Sequence, residues 1–521
     1  MPAAKVILQW LVLGMSPLTP EQLAITVTFD PSSGTFDSGL GLAHPDDVMQ
    51  LCSSLVIRAA DNTVQLAHAS VKEYFLHKPR TIILSDTESG HASIAHCCLE
   101  YLLHVGRHND EQYSKFPLLD YSANLWPGHY KLSNKNQNLQ EIVTLLFQAN
   151  SGALKTWINE YQGGCHHHHY REVPLNYVAL LGLEEIMQRL IVTNQCYDKA
   201  LEAATNGGHI ATVRVLLDKG ADVNAQGGEH CNALYAASYK GHLEIAKLLL
   251  DKGADVNVQG GYYGNALQAA ISQGYAEIAK LLLDKRADVN VQGGYYGNAL
   301  QAAISQGCAE ISKLLLDKGA DVNVQGGYYG NALYAASYKG HVEIAKHLLE
   351  KGDAAVNVQG GYYCNALQAA ISQGYTEISR LLLDKGADVN IHGGYYGNAL
   401  YAASYKGLAD IATLLLDKGA DVNAQDNGYY GNALQAASLK GHAEIVKLLL
   451  DKGADVNAQD GYYGNALQAA ISQGYTDISK LLLDKGADVN VQGGYYAMHY
   501  MLQFLKVMLN FPNFCWTKEQ M

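Results

Sequence analysis

The stretch GYYGNALQAAISQGYAEIAKLLLDKRADVNVQ, residues 261–292, decides the architecture, because it returns almost unchanged along the following chain. Its tripeptide Asn-Ala-Leu begins at Asn232, Asn265, Asn298, Asn331, Asn365, Asn398, Asn432 and Asn465, in steps of 33 or 34 residues. A fixed period of this size marks an array whose units bury their apolar faces against one another. Within a unit the spacing predicts two short helices and a turn. Asn265 is placed to cap the first helix, its side-chain oxygen accepting from the orphan N–H groups of the first turn. In the second, Ile278, Leu281 and Leu282 stand at i, i+3 and i+4, on one face that the next unit must cover. Burying each is worth roughly 1.5–3 kcal/mol. Lys285 lies in the last turn, where a cation complements the helix dipole. Glycine follows in most units as the left-handed residue that ends the helix. Arg286 takes that place in one unit, where a positive φ costs on the order of 1 kcal/mol for a residue with a Cβ, so local weakening is expected. One-residue insertions near Asp353 and near Asn427 fall between the second helix of one unit and the first of the next, where loops absorb length changes.

Leu267, Ala269, Ala270, Gly274, Ile278, Leu281 and Leu282, with the Gly-Ala-Asp-Val-Asn run that closes most units, resemble the ankyrin consensus. Asparagine and alanine stand where that family usually has threonine and proline. A degenerate unit at 201–208 and a weaker one at 174–186 bring the expected total to about ten, over residues 170–496. The resemblance implies a predominantly α fold, an ankyrin-repeat solenoid of helix-turn-helix units, and a protein partner docked on the concave face formed by the loop fingers and first helices. That places the binding surface on two groups. The first is the finger tyrosines, Tyr262/Tyr263, Tyr295/Tyr296, Tyr328/Tyr329, Tyr362/Tyr363, Tyr395/Tyr396, Tyr429/Tyr430 and Tyr462/Tyr463. Tyrosine offers a large contact area at little entropic cost. One tyrosine of each pair can equally pack beneath its finger or stack on the neighbouring unit, so at most half need be free.

The second group is the first helix, which occurs as LQAAISQGY at Leu267, Leu367 and Leu467, with LQAAISQGC at Leu300, and as LYAASYKGH at Leu234 and Leu333, with LYAASYKGL at Leu400. Gln268 against Tyr334, Ile271 against Ser337 and Gln273 against Lys339 therefore mark positions read as surface, free to change without harming the stack, with Gln268, Tyr334 and Lys339 as specificity candidates. Recent duplication of units, with no partner at all, leaves the same near-identity.

Residues 1–88 differ in character. ILQWLVLGMSPLTPEQLA, DDVMQLCSSLVI and NTVQLAHASVKEYFL look like the winged-helix segment that follows the NACHT domain in fungal ankyrin receptors, a segment also labelled as the winged helix of inositol-deacylase-like proteins. The helical connector over 89–169, with ASIAHCCLEYLL and FPLLDYSANLWPGHY, resembles that family's linker. The resemblance implies the sensor arm of a NACHT–ankyrin receptor, yet no GxxxxGK[ST] occurs, so the nucleotide switch does not carry over. Without a G-x-S-x-G elbow the deacylase label brings no hydrolase chemistry.

Other residues were weighed for chemistry. His166, His167, His168 and His169 are adjacent and lack framing ligands, so they do not preset a metal site. His68 and Ser70, at i and i+2 on a helix, point apart and so are not expected to form a nucleophilic pair. Lys72, His77, Lys78 and Arg80 make one helix mildly basic, which keeps open the alternative of a DNA-associated regulator using the winged helix. The formal charge of −13 weighs against broad phosphate-backbone binding. The nine cysteines, Cys52, Cys97, Cys98, Cys165, Cys196, Cys231, Cys308, Cys364 and Cys515, are scattered and read as reduced thiols of a cytoplasmic protein, with the nucleus as second compartment. VILQWLVLG, interrupted by Gln9, is not a signal peptide, and no apolar run of about 20 residues predicts a membrane span. The tail 497–521 departs from the repeat and is strongly apolar, the reverse of a solenoid cap, as an erroneous or truncated gene end would be. The expected function is a protein-interaction scaffold without catalytic residues, cofactor or nucleotide.

Overall fold

The computed structural model describes residues 3–37, 41–77, 86–108, 116–148, 151–161, 173–191, 197–227, 230–351, 354–425, 431–459 and 463–489. Both one-residue insertions, the histidine run, Lys78, Arg80, Tyr429, Tyr430, Tyr462 and the tail lie outside them. The chain divides into two compact units, residues 1–254 and 255–521. Both are predominantly helical.

The first unit opens with α1 (Ala3–Leu13) and α2 (Pro20–Val27). Thr19 caps α2 in a reciprocal box with Gln22, and Pro20 occupies the first turn, where its missing N–H costs nothing. A short hairpin of β1 (Phe29–Asp30) and β2 (Thr35–Phe36) follows, then α3 (Asp47–Cys52). A second hairpin pairs β3 (Val56–Arg58) with β4 (Val64–Leu66), and Val64 also donates its N–H to the Leu18 carbonyl at 2.8 Å. The last element of this region is α4 (Ala69–His77). Four further helices come next: α5 (Thr87–His108), α6 (Leu119–Leu132), α7 (Gln137–Leu146) and α8 (Gly152–Glu160). Ile94, Ala95, Cys98, Leu99 and Leu102 of α5 are fully buried and form the hub of this bundle. Where α5 crosses α8, a Cβ on Gly106 would stand 2.3 Å from the Ala153 nitrogen, so only glycine allows the approach. Three helix pairs complete the unit, at Pro174–Leu181/Glu184–Leu190, Asp198–Asn206/Ile210–Asp218 and Ala233–Lys240/Leu243–Asp251.

The second unit consists of helix pairs in series, from Ala266–Ser272/Ala276–Asp284 to Ala466–Ser472/Thr476–Asp484. We call the two helices of a repeat A and B. The expected cap is present: Asn265 Oδ1 accepts from the Gln268 N–H at 2.8 Å, and Asn298, Asn331, Asn365, Asn398, Asn432 and Asn465 do the same one repeat after another. On helix B, Ile278 and Leu282 are buried as predicted. Leu281 is only half-buried, and Leu283 takes its place inside. The residue ending helix B is left-handed in each described repeat, glycine at Gly319, Gly386, Gly419, Gly453 and Gly486, and Arg286 with φ +66°. Cys364 is a second residue with a Cβ in this region, at φ +79°, where the other fingers carry glycine.

A clamp made by the asparagine of Gly-Ala-Asp-Val-Asn ties each repeat to the next. Asn390 Oδ1 accepts from the Asp421 N–H at 2.9 Å, and its Nδ2 donates to the Gly419 carbonyl at 3.0 Å. Asn457 does the same with Asp488 and Gly486. Asn323 Oδ1 accepts instead from the N–H of Ala355, at 2.8 Å, so the chain is back in register just after the insertion near Asp353.

Candidate interaction surface

The described fingers are tight turns closed by backbone bonds, for instance Gly293 N–H to Gly297 C=O at 2.8 Å. The two tyrosines of a finger fall on opposite sides of its turn and meet edge to face, with ring centroids 4.8 Å apart for Tyr295 and Tyr296. The first of each pair faces solvent. Tyr262, Tyr295, Tyr328, Tyr362 and Tyr395 are 65, 37, 59, 63 and 56% exposed. The second is drawn inward: Tyr296, Tyr329 and Tyr396 are buried, and Tyr263 and Tyr363 half-buried. Among these described pairs at most half are therefore free, and the free half is the first of each pair.

Both sets form columns along the repeats. Outer rings stack at 5.5 Å for Tyr262 on Tyr295, 5.4 Å for Tyr295 on Tyr328 and 5.4 Å for Tyr362 on Tyr395. Inner rings stack at 6.0 Å for Tyr263 on Tyr296 and 5.9 Å for Tyr363 on Tyr396. A backbone bond accompanies each outer step: Tyr295 N–H donates to the Tyr262 carbonyl at 3.1 Å, and Tyr328 and Tyr395 repeat the pattern. The inner hydroxyls are held by the end of helix A, where Gln273 Nε2 donates to Tyr263 Oη and Gln306 Nε2 to Tyr296 Oη, both at 3.1 Å.

The helix A positions require a correction. Gln268 and Tyr334 are buried, as are Ile271 and Ser337, so they are not surface. Gln268 Nε2 reaches the Val291 carbonyl at 3.0 Å in the next repeat, and Gln301 and Gln368 make the equivalent bonds to Val324 and Ile391. Tyr334 reaches the same region differently: its hydroxyl accepts from the Tyr363 N–H at 3.0 Å. Burial pushes that hydroxyl up to about 12. These side chains are struts between repeats, and variation is tolerated because glutamine and tyrosine both satisfy backbone of the next finger. Of the three variable positions only the last is exposed, as Gln273 or Lys339. Lys339 Nζ sits 5.9 Å from the Tyr329 ring centroid, within cation–π range.

In the first unit, His68 and Ser70 also need correcting. His68 precedes α4 rather than lying on it, so the two residues do not point apart. Ser70 N–H donates to His68 Nδ1 at 3.1 Å, and Ser70 Oγ lies 2.7 Å from the same nitrogen. His68 thereby satisfies an N–H of the first turn of α4, a capping geometry. It borders an open cleft of about 380 Å³ lined by Trp10, Met15, Leu18, Leu66 and Lys72 among others. Deeper in this unit, Met15 N–H donates to Tyr121 Oη at 3.2 Å, Tyr121 Oη lies 3.0 Å from His129 Nε2, and His129 Nδ1 lies 2.8 Å from His91 Nδ1. Burial, with His91 alongside, lowers His129 to about 3 and keeps it neutral. No helix among the described residues is long and apolar enough to cross a membrane.

Residues 175–260, 234–326, 267–360, 303–393, 332–426 and 400–493 each match the family described as "Ankyrin repeats (3 copies)". A protein of Monascus ruber described as "Azaphilone pigments biosynthesis cluster protein L" is 32% identical over 260 residues, covering 42% of this chain and 55% of that protein. The chain thus spans about half the length of this relative.

Proposed function

Because the chain belongs to the ankyrin-repeat family, a family built to hold protein partners, we propose that it is a protein-interaction scaffold whose partner lies along the outer tyrosines of the fingers. One observation carries this reading: five tyrosines, spaced one per repeat, present their rings to solvent in two stacked runs, Tyr262 to Tyr328 and Tyr362 to Tyr395, each fixed by backbone bonds. A row of preordered aromatic rings loses little entropy on binding and offers the side chain most often found at the centre of interfaces. The exposed ends of helix A, Gln273 and Lys339 among them, flank that row and differ between repeats, so they set specificity. No residue of the chain acts as a catalyst in this reading.

The amino-terminal region is read with it as the winged-helix segment and connector of a NACHT–ankyrin type receptor. Two helices, a third short one and the β3–β4 hairpin, joined by the Leu18–Val64 bridge, support that placement. The chain would then sense and hold a ligand while a nucleotide-driven domain elsewhere reports it. Salt-dependent binding of duplex DNA by the whole chain, abolished by changing Lys72, would instead favour the DNA-associated regulator.

The test is affinity capture from host extract with the full chain, set against a variant in which Tyr262, Tyr295, Tyr328, Tyr362 and Tyr395 are alanine. Loss of the captured proteins with retained helicity is expected. Undiminished capture by the five-alanine chain overturns the surface.

A further inference from the structure

The outer tyrosine row is interrupted once among the described fingers, between Tyr328 and Tyr362. No stacking contact or backbone bond joins these two residues, although every other described step has both. The interruption coincides with the tyrosine form of helix A. Tyr334 ends in the place where a glutamine would leave room for the next finger to close. Its hydroxyl takes the Tyr363 N–H at 3.0 Å, and the Tyr362 N–H is directed at it too. Glycine contacts report the same displacement. A Cβ on Gly327 would meet the Tyr296 backbone at 2.2 Å, and on Gly394 the Tyr363 backbone at 2.4 Å, whereas on Gly361 it would meet the Tyr334 ring at 2.6 Å. The two fingers still approach backbone to backbone at Gly330, where a Cβ would stand 3.0 Å from the Gly361 nitrogen, but at Gly361 the Tyr334 ring replaces the backbone that Gly327 and Gly394 meet.

The inner column shows how wide the separation is. Tyr338, from the same helix, slots between Tyr329 and Tyr363, with centroids 5.7 and 6.0 Å away. One aromatic ring thus fills the inner half of the space. The outer half, between Tyr328 and Tyr362, has no ring of its own, and these two tyrosines are among the most exposed in the row. The Tyr328 carbonyl, whose counterparts at Tyr262 and Tyr295 receive an N–H from the next finger, receives none from Tyr362.

We propose that the gap between Tyr328 and Tyr362 is a slot for one aromatic side chain bearing a hydrogen-bond donor, tryptophan or tyrosine, carried by an extended segment of the protein partner. This deepens the finger-surface reading and rests on it. Tyr338 shows that a flat ring fits between these fingers. Offset stacking on aromatic faces favours such an occupant beyond its buried area, and an indole N–H or phenol O–H satisfies the Tyr328 carbonyl, which an aliphatic side chain does not. Lys339, close to the Tyr329 ring, places a cation beside the gap and disfavours a guanidinium there.

The experiment is photo-crosslinking of the full chain with a soluble nonapeptide of glycine and serine carrying p-benzoylphenylalanine at its centre, competed by the same peptide with tryptophan, arginine or leucine. Adducts are located by mass spectrometry of tryptic peptides, since those ending at Lys339 and at Arg380 each differ in sequence from those of the other repeats. Adducts should concentrate on the Tyr328 and Tyr362 fingers, and the tryptophan peptide should compete at least about fivefold better than leucine or arginine. Exchanging Tyr334→Gln, Ser337→Ile, Tyr338→Ser and Lys339→Gln rewrites this helix as that of the preceding repeat, which folds in the same setting, and should abolish these adducts. The reverse exchange in the preceding repeat, Gln301→Tyr, Ile304→Ser, Ser305→Tyr and Gln306→Lys, should create adducts between Tyr295 and Tyr328. Adducts spread evenly over Tyr262, Tyr295 and Tyr328 overturn the slot but leave the finger surface standing. Adducts unchanged by the four-residue exchange, or better competition by arginine, overturn the slot as well. The finger-surface reading fails on a different result, undiminished capture by the five-alanine chain.

Discussion

Arg286→Gly should stabilise the protein by about 1 kcal/mol. The backbone at Arg286 has φ +66°, a conformation that glycine adopts freely and a residue with a Cβ reaches at a cost of roughly 1–2 kcal/mol. A second loss accompanies it. The carbonyls of Gly319, Gly386 and Gly419 each receive the Nδ2 of the clamp asparagine one repeat earlier, at 3.0–3.3 Å, while among the described residues the Asn257 side chain makes only the bond to the Asp288 N–H. Regaining an exposed bond of this kind adds about 0.5 kcal/mol. Glycine's extra freedom in the unfolded chain takes back about 0.5–1 kcal/mol. The Arg286 side chain is exposed and makes no ion pair among the described residues, so its removal forfeits no partner. For a cooperative unit of this size the net gain raises Tm by about 2–4 °C. It should also slow amide exchange at residues 287–291 by about fivefold if exchange there proceeds by local opening. Calorimetry and hydrogen exchange measure the two effects. Gly319→Arg is the mirror experiment and should lose a similar amount. If Arg286→Gly leaves Tm and exchange unchanged while Gly319→Arg costs nothing, the left-handed position carries no strain and the reasoning fails.

Asn390→Ala removes both clamp bonds to the following repeat and should cost about 1–2 kcal/mol, read as a lower urea midpoint and faster exchange at Asp421; an unaltered midpoint would show the clamp to be ornamental. Gln301→Leu keeps the volume of the buried strut but orphans the Val324 carbonyl, so a loss of about 1–3 kcal/mol is expected by urea unfolding, where no loss would mean that packing alone joins the repeats. Cys364→Gly should gain about 1 kcal/mol for the same reason as Arg286→Gly, its φ being +79°, and an unchanged Tm would contradict this. The first unit should lose stability as pH falls from about 6.5 toward 3. Folded His129 resists protonation until about 3, the unfolded imidazole takes up a proton near 6.5, and the state binding more protons gains as pH drops. The effect has an upper bound of roughly 4–5 kcal/mol and is followed through Trp10, Trp126 and Trp157, all buried in that unit. His129→Phe should flatten the slope, and an identical slope would assign acid lability elsewhere.

The repeat frame was legible because its signals are local. Asparagine before each helix A, glycine after helix B and the aliphatic face of helix B each depend on a few neighbouring residues, and Arg286 took the left-handed conformation that its place in the period dictated. The struts were not legible for a physical reason. Gln268 and Tyr334 are polar, vary between repeats and start at the edge of a short helix, which in sequence describes a surface position. Only the next repeat, one period away, shows that their polar ends meet backbone groups there. The clamp asparagine is hidden inside a consensus run, though its recurrence at Asn290, Asn323, Asn357, Asn390, Asn423 and Asn457 is a usable signal. Finger tyrosines sorted into outer and inner only once the turn was built, since adjacent residues on a tight turn fall on opposite sides.

The strut has a consequence for how such an array diversifies. If the tyrosine form of helix A is what parts the outer rings, then whether two of them stack is set by the helix A that precedes them, and both forms share one period, one cap and one clamp. Units of the two kinds can therefore be reordered, as unequal recombination between near-identical tracts would do, without disturbing the stack. Each reordering moves the interruption to a new place in the tyrosine row. The order of units, rather than the sequence within any of them, then acts as an alphabet of two letters written along one edge of the molecule.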